Sequence, residues 1–429
     1  MIILKLVRYY FSVIFWSAAS LNLVKKMQLR KFRRIFEHAR EYSKFYRKFY
    51  SDNGVLDLKI RNWDDIDKIP VVNKTILKKY STEEIMTCKM DNSIRIHMTS
   101  GSTGEPFAIA FNKYESFTAH IRVFHALTRA GYKITDRIVM VTRYNEGDKF
   151  KIEKDISLIS KVQNRLNLFQ REIISIYEPV DDIILKLSKT KAKILWSTPS
   201  IMQIVANRLK EKGIRFSFPL VFLFSENISL IQKDIYSEYL GNKIVNLYGS
   251  MESPSLGYDI GFIGRFAIFP NSNLFQFRSI SNNVSNDKTG NVVITNLINR
   301  TMPIIRYDLN DIAEIDEHPD FGHKYIKGII GRQEDIIKLS NDKDLAHLHV
   351  YGMFRDFSEC QMFKFVQRRD KTVILQLKIC SDQDRSVVST LALERWRKHF
   401  AEIPLIIEFV NDFEINPQTG KFKNMEIEK

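Results

Sequence analysis

The sequence has few cysteines, and they lie far apart. Cys88, Cys360 and Cys380 are the only three among 429 residues, and no two of them form a Cys-x-x-Cys pair. This spacing gives neither a disulfide framework nor a structural zinc site. The simplest interpretation is a cytosolic chain with reduced thiols.

Acidic residues are fewer than basic ones. The chain has 50 Asp and Glu against 65 Lys and Arg, which gives a net charge of +15. This excess favours an anionic partner such as a nucleotide, a nucleic acid or an acidic lipid, without choosing among them. A hydrophobic content of 44% excludes a mainly disordered protein, and the length allows two or three domains. The sequence has no internal repeat and no low-complexity tract.

No uncharged run reaches the roughly 20 residues that a bilayer-crossing helix needs. The apolar run from Tyr9 to Val24 falls short of this length and has basic residues on both sides, Lys5, Arg8, Lys25 and Lys26. Three interpretations stay open: a signal peptide, a helix in the membrane interface, and a helix buried against the protein body. Secretion is the least favoured, so residues 1–24 are expected to contact a membrane peripherally or to pack on the protein.

Residues 28–50, QLRKFRRIFEHAREYSKFYRKFY, alternate bases with aromatic and aliphatic residues at near-helical spacing. A basic, aromatic helix could bind nucleic acid, whereas the same pattern more often marks a core stripe whose bases face solvent. Because no recognised nucleic-acid module accompanies the stripe, we interpret it as core and expect no nucleic-acid partner.

A loop rich in hydroxyl groups and glycine lies within HMTSGSTGEPFAI, residues 97–109. Four hydroxyl side chains and two glycines occupy Thr99–Gly104, a composition that suits phosphate oxygens. The loop is not the common P-loop, because Glu105 and Pro106 follow Gly104 where that motif has Lys and Ser or Thr. The alternative is an ordinary hairpin or surface turn.

Short apolar runs bounded by turn residues follow this loop and alternate with helical stretches. They are RIVMV (137–141), AKILWSTPS (192–200), LVFLF (220–224) and KIVNLYG (243–249). The alternation predicts an α/β fold with a largely parallel sheet. From about 262 to 315 the pattern becomes strand-like and predicts a β-rich subdomain.

Four further motifs occur after the loop in a fixed order. They are NLYGSMES (246–253), PIIRYDLNDIAEI (303–315), GRQEDIIKLS (331–340) and NPQTGKFKNM (416–425). With the loop, they resemble the adenylate-forming enzyme superfamily, in particular the phenylacetate–coenzyme A ligase family and its members associated with capsular and other polysaccharide biosynthesis. The resemblance runs from about Gln28 to the end of the chain.

The resemblance implies a fold class and a domain organisation. A large multi-layer α/β domain with the β-rich part at 262–315 would span residues 28–332, after an amino-terminal segment at 1–27. A small mobile α+β domain would span 333–429. Glu334 and Asp335 resemble the hinge between the two domains.

The resemblance also implies a reaction and its site. A carboxylic acid would attack ATP with the help of Mg²⁺, giving an acyl-adenylate and pyrophosphate, and the acyl group would pass to CoA or another acceptor such as a carrier or a sugar amine. The triphosphate loop would be Thr99, Ser100, Gly101, Ser102, Thr103 and Gly104. The adenine and ribose residues would be Ser225, Glu226, Tyr248, Gly249, Asp311 and Arg332. Glu252 would bind the metal, and the catalytic residues would be Lys421 and His97.

Three of these residue assignments have an alternative interpretation. Asp311 could be an ordinary turn aspartate, His97 a packed core histidine, and Lys423 the catalytic lysine in place of Lys421. The sequence also departs from the family where residues 339–345 lack its glycines, which leaves CoA open as the acceptor. Such departures, which include Glu105, would also suit a catalytically weakened binding or assembly protein at the membrane. The ATP requirement and the reduced cysteines predict a cytoplasmic location, peripheral at the inner face of a membrane.

Overall fold

The described part of the chain forms two units. The computed structural model describes residues 2–98, 107–142, 170–226, 228, 230–261, 264–279, 289–314, 325–332, 337–338, 344–345, 357, 359–379, 383–400, 403–413 and 425–428. The first unit is Met1–Arg129, Leu247–Asp259 and Ile263–Ile329, and the second is Ala130–Asn246, Ile260–Phe262 and Ile330–Lys429.

The first unit begins with helices. They are α1 (Ile2–Ala18), α2 (Leu21–Tyr42), α3 (Lys44–Asp52), α4 (Trp63–Asp67), α5 (Lys74–Leu77), α6 (Thr82–Ile85) and α7 (Lys113–Arg129). Side-chain caps begin the three short ones, since Asn62, Asn73 and Ser81 each accept a backbone N–H of the first turn.

The aromatic stripe of α2 and α3 lies in the core of the first unit. Phe32, Phe36 and Phe45 are fully buried, while Arg30 and Arg34 of the same stretch are exposed. The interpretation of residues 28–50 as a core stripe with solvated bases is therefore confirmed.

Strands complete the first unit. An antiparallel hairpin pairs β1 (Ile94–Met98) with β2 (Ala108–Asn112). The remaining strands are β8 (Gly257–Ile260), β9 (Arg265–Ile268), β10 (Asn273–Ser279), β11 (Thr289–Asn296), β12 (Tyr307–Glu314) and β13 (Tyr325–Arg332). They lie side by side in the order β10-β11-β12-β13-β9-β8, and β9 to β12 fall within the 262–315 stretch expected to be β-rich.

The second unit contains the parallel strands. They are β3 (Ile138–Thr142), β4 (Arg171–Ser175), β5 (Ile194–Ser197) and β6 (Leu220–Phe224), in the order β6-β5-β3-β4. Strand β7 (Ile244–Tyr248) follows β6 in the sheet order, and its last two residues, Leu247 and Tyr248, belong to the first unit. The helices α8 (Val180–Lys189), α9 (Pro199–Lys212) and α10 (Leu230–Tyr239) alternate with them. Each of the four predicted apolar runs overlaps one of the strands β3, β5, β6 and β7, and the predicted α/β class is confirmed.

The carboxyl-terminal part of the second unit has a sheet and a hydrophobic cluster of its own. Its elements are β14 (Ile337–Lys338), β15 (Asp344–Leu345), β16 (Cys360–Gln367), β17 (Val373–Ile379), α11 (Arg385–Phe400), β18 (Leu405–Phe409) and β19 (Met425–Ile427). Strands β18, β17, β16 and β19 form one sheet in that order. Trp396 of α11 is buried among its apolar side chains and donates its indole N–H to the Ile403 carbonyl at 2.7 Å. The predicted domain start at 333 lies outside the described residues and stays a prediction.

Within the described residues, no helix combines the length and the apolar composition that a bilayer crossing needs.

Candidate active site

Two tyrosine–carboxylate hydrogen bonds connect the end of β7 and the loop after it to β12. The Tyr248 hydroxyl, at the last position of β7, donates to Asp311 Oδ2 at 2.8 Å. The Tyr307 hydroxyl, at the first position of β12, donates to Glu252 Oε1 at 2.9 Å. Three predicted site residues, Tyr248, Glu252 and Asp311, are thus brought together by hydrogen bonds between the two segments.

Asp311 lies in an irregular part of β12. The pairing of β11 with β12 runs from Asn291↔Ile312 to Val293↔Asp308, so β12 has extra residues between these pairs. Asn310 has φ 62°, in the left-handed region, and its N–H donates to Asp308 Oδ1 at 2.8 Å. Bulges of this kind re-aim side chains next to functional sites. The bulge therefore turns β12 locally where Asp311 meets Tyr248.

Gly249 is required by the way the loop after β7 folds back. A Cβ at this position would lie 2.8 Å from the backbone nitrogen of Ser255. Beside it, the Leu256 N–H donates to the Tyr248 carbonyl at 2.8 Å. Glycine is therefore needed here because the backbone at Ser255 approaches position 249 closely.

Glu252 is nearly buried, at 8% exposure. In the described part of the chain, no three His, Cys, Asp or Glu side chains come together as a metal site. A single carboxylate nevertheless fits Mg²⁺, which is commonly held by one or two carboxylates together with substrate phosphates and water. The Tyr307 hydrogen bond fixes the orientation of this carboxylate, as outer-shell partners do for metal ligands.

His97 lies on β1 directly before the predicted phosphate loop. Its ring is partly buried and meets the Phe111 ring edge-on at a centroid distance of 5.6 Å. Burial, and then the nearby charge of Arg95, lower the pKa of His97 below its usual value. The lowered pKa favours the neutral form of the imidazole, and the place of His97 in the site stays a prediction.

Ser225 and Glu226 belong to the second unit, at the end of β6. Ser225 has φ 75°, which is strained for a residue with a side chain. Glu226 Oε2 accepts the backbone N–H of Ser200 at 3.0 Å, and the Ser200 hydroxyl as well. Ser200 lies in the first turn of α9, where a carboxylate is favoured by the helix dipole. In this structure Glu226 therefore stabilises a helix start, and its predicted nucleotide role stays a prediction.

Other predicted residues fall outside what the structure describes. Thr99, Ser100, Gly101, Ser102, Thr103, Gly104 and Lys421 lie outside the described residues. Arg332 is the last residue of β13, and its side chain is not described. Since β1 and β2 pair up to Met98↔Ala108, the predicted phosphate loop connects the two strands of a hairpin.

The sequence pattern does not single out Tyr307, although it belongs to the motif PIIRYDLNDIAEI. Its partner Glu252 is 55 residues away in the chain, and no local pattern pairs the two. The one available signal was the position of Tyr307 at the start of a strand that also carries a predicted ribose ligand.

The chain is similar in sequence and in structure to known proteins. No family model matches the chain. It is 22% identical to Protein CapK of Staphylococcus aureus, over 92% of this chain and 88% of that protein. It is 20% identical to phenylacetate-coenzyme A ligase of Thermus thermophilus, over 73% and 71% of the two chains. The 2-hydroxyisobutyryl-CoA ligase in its postadenylation state superimposes with a TM-score of 0.72 at 18% identity, over 94% of this chain and 89% of that one.

The chain has the fold of an adenylate-forming CoA ligase. The resemblance inferred from the motifs is confirmed, and so is the fold class. An open form of the same ligase, in complex with 2-HIB-AMP and CoA, matches with a TM-score of 0.60. These relatives support an adenylate-forming ligase more than the alternative of a weakened binding protein.

Proposed function

We propose that this chain is an ATP-dependent ligase that activates a carboxylic acid as an acyl-adenylate. The carboxylate oxygen attacks the α-phosphorus of ATP, forms the acyl–phosphate bond and expels pyrophosphate. The observation that carries the proposal is the pair of hydrogen bonds Tyr248–Asp311 and Tyr307–Glu252, within a fold shared with adenylate-forming ligases.

Three residues of these two hydrogen bonds, together with the predicted phosphate loop and a late lysine, have proposed parts in the reaction. Asp311 binds the ribose hydroxyls, and Tyr248 borders the adenine. Glu252 holds Mg²⁺, whose charge offsets that of the phosphates. The hydroxyls of the 99–104 loop bind the triphosphate, and Lys421 binds the carboxylate and the α-phosphate as they react.

We propose CoA as the first acyl acceptor to test, with a carrier or a sugar amine as the other candidates. The support for CoA is the likeness to a ligase named for CoA and to a structure in complex with CoA. The support for a role in cell-surface polysaccharide biosynthesis is the likeness to Protein CapK. We place the reaction in the cytoplasm because it consumes ATP and because Cys88 and Cys360 are free thiols. We place it at the inner face of a membrane because the apolar run from Tyr9 to Val24 has basic residues on both sides.

A pyrophosphate-release screen tests the proposal. The folded chain is incubated with ATP, Mg²⁺ and a panel of aryl, hydroxy, fatty and amino acids, and at least one acid is expected to give release above the acid-free background. Glu252→Gln should abolish that release, whereas Glu83→Gln, which removes the same charge from the exposed helix α6, should leave it unchanged. Silence of the folded wild-type chain across the panel would overturn the proposal.

A further inference from the structure

Helix α1 has an inner face that is fixed to the first unit. Tyr9 and Val13 are buried. Tyr10 meets the rings of Phe124 and His125 on α7 at centroid distances of 5.5 and 6.4 Å. The amino-terminal helix therefore packs along α7.

A buried arginine anchors this helix. Arg122 of α7, at 2% exposure, donates from Nη1 to the Tyr9 hydroxyl at 2.8 Å, and this hydroxyl lies 2.6 Å from Ser272 Oγ. The same guanidinium donates to the carbonyls of Pro254 and Ser255. Removing Tyr9 would take one hydrogen bond each from the buried Arg122 and Ser272, and a net loss of about 0.5–1.5 kcal/mol is expected for each bond. Arg122 and Ser272 would keep their bonds to Thr118 and Asn271. Helix α1 is thereby held lengthwise against the protein.

The opposite face of α1 is apolar and exposed to solvent. We call it the outer stripe, and it consists of Ile3, Leu4, Val7, Phe11, Ile14 and Phe15. The spacing of Leu4, Val7 and Phe11 is that of one helix face. Leu4 is 66% exposed and Phe11 is 63% exposed. A contiguous apolar face of this kind marks an interaction site.

The charged residues of α1 and of the first part of α2 have one sign. The chain has no acidic residue before Glu37. Exposed bases occur on α1 itself, Lys5 and Arg8, and on the following helix α2, namely Lys26, Arg30, Arg33 and Arg34. An apolar helix face flanked by bases complements anionic lipid, whose headgroups attract the bases while the acyl boundary takes up the apolar side chains.

The geometry points to a helix lying flat on the membrane. The 17 residues of α1 span about 26 Å, less than the roughly 30 Å of a hydrocarbon core. A twofold contact through the outer stripe would bring together two helices that each carry Lys5 and Arg8 and no acidic residue, which like charge opposes. We propose that α1 lies in the interface of an anionic bilayer, with the outer stripe immersed and Tyr9 still bound to Arg122. This proposal for α1 rests on the proposed location at a membrane surface and specifies how the protein would bind there. It does not depend on ligase activity.

Flotation of the full chain with lipid vesicles tests the proposal. The wild-type chain is expected to float with vesicles of phosphatidylcholine and phosphatidylglycerol, and much less with phosphatidylcholine alone. Phe11→Ser with Phe15→Ser should lower binding by about tenfold or more, because large apolar side chains leave the interface. The matched control is Leu185→Ser with Val387→Ser, which removes two apolar side chains of similar exposure elsewhere and should float like the wild type.

Several outcomes would overturn the inference. They are equal flotation of the Phe11/Phe15 variant and the wild type, no flotation of the wild type with anionic vesicles, and a wild-type dimer in light scattering that this variant converts to monomer without lipid. The last result would assign the stripe to a second copy. Because Phe11 and Phe15 are exposed, the variant should keep the wild-type melting temperature. Pyrophosphate release without lipid should also be unchanged, so a failure of lipid binding is distinguishable from a failure of the ligase proposal.

Discussion

The Tyr307 hydroxyl donates a 2.9 Å hydrogen bond to Glu252, across 55 residues of sequence. Glu252 comes from the loop after β7, and Tyr307 begins β12. The bond restricts the rotation of a nearly buried carboxylate and so favours one orientation of it. This relationship gives Tyr307 a positioning role that no motif assigned to it.

The first prediction concerns this positioning role. Tyr307→Phe removes the hydroxyl and keeps the ring, so the fold should persist while Glu252 loses its donor. Loss of an outer-shell partner typically weakens metal affinity by 10–100-fold, and we expect a rise of about tenfold in the Mg²⁺ concentration that half-saturates pyrophosphate release. Tyr177→Phe, at an exposed tyrosine, is the control and should change nothing. An unchanged Mg²⁺ dependence of Tyr307→Phe would remove the positioning role.

The second prediction separates the two late lysines. Lys421→Ala should slow acyl-adenylate formation by roughly a hundredfold or more with little effect on substrate binding, because the lost interaction belongs mainly to the transition state. A supplied acyl-adenylate should still be passed to the acceptor. Lys423→Ala is the matched control and should matter far less. Equal losses in both half-reactions would indicate a structural lysine, and a larger loss for Lys423 would shift the assignment by two residues.

The third prediction concerns the loop after β7. Gly249→Ala would place a Cβ 2.8 Å from the Ser255 nitrogen, so the loop must open. We expect the free energy of unfolding to fall by about 1–3 kcal/mol, as in overpacked sites, and the KM for ATP to rise. Gly54→Ala, at φ 68° with open space around it, is the contrast: it should cost stability through backbone strain alone and leave the KM unchanged. Wild-type kinetics in Gly249→Ala would show that the loop tolerates opening.

The fourth prediction concerns acid stability. Burial, and then the charge of Arg129, lower the pKa of His125 to about 4, and its ring packs against Tyr258 and Phe269. An unfolded histidine titrates near 6.5, so between these pH values the unfolded chain binds more protons. The free energy of unfolding should therefore be retained above about pH 6.5 and fall as the pH is lowered toward 4.

The variant His125→Phe measures how much of the fall in the free energy of unfolding at low pH is due to His125. His125→Phe keeps an aromatic ring among Tyr10, Tyr258 and Phe269 and removes the titrating group. Between pH 6.5 and pH 4.5, the melting temperature of the variant should fall less than that of the wild type, by an amount that corresponds to about 1–3 kcal/mol. Parallel melting curves for the two proteins would contradict the assignment.

Local patterns were enough to predict much of the fold. The runs that became β3, β5, β6 and β7 are short, apolar and bounded by turn residues, and the stripe from Phe32 to Phe45 repeats at helical spacing. Such signals depend on neighbours in sequence and carry over directly to the structure.

What the sequence could not predict depends on partners far away in the chain. The bulge at Asn310 arises from the register of β12 against β11, and the hydrogen bond of Tyr307 needs Glu252. The side of α1 that packs could not be chosen in advance, because both faces are apolar and the anchor Arg122 is 113 residues from Tyr9. These features follow from tertiary contacts that no local window contains.

Arg122 joins α1 to the loop that carries Glu252. Its Nη1 binds Tyr9, while Nε and Nη2 bind the carbonyls of Ser255 and Pro254. A displacement of the helix would therefore pull on the carbonyl of Pro254, two residues from the proposed metal ligand Glu252. If lipid on α1 changed the affinity for ATP by this route, ATP would change the affinity for lipid by the same factor, because thermodynamic coupling is reciprocal.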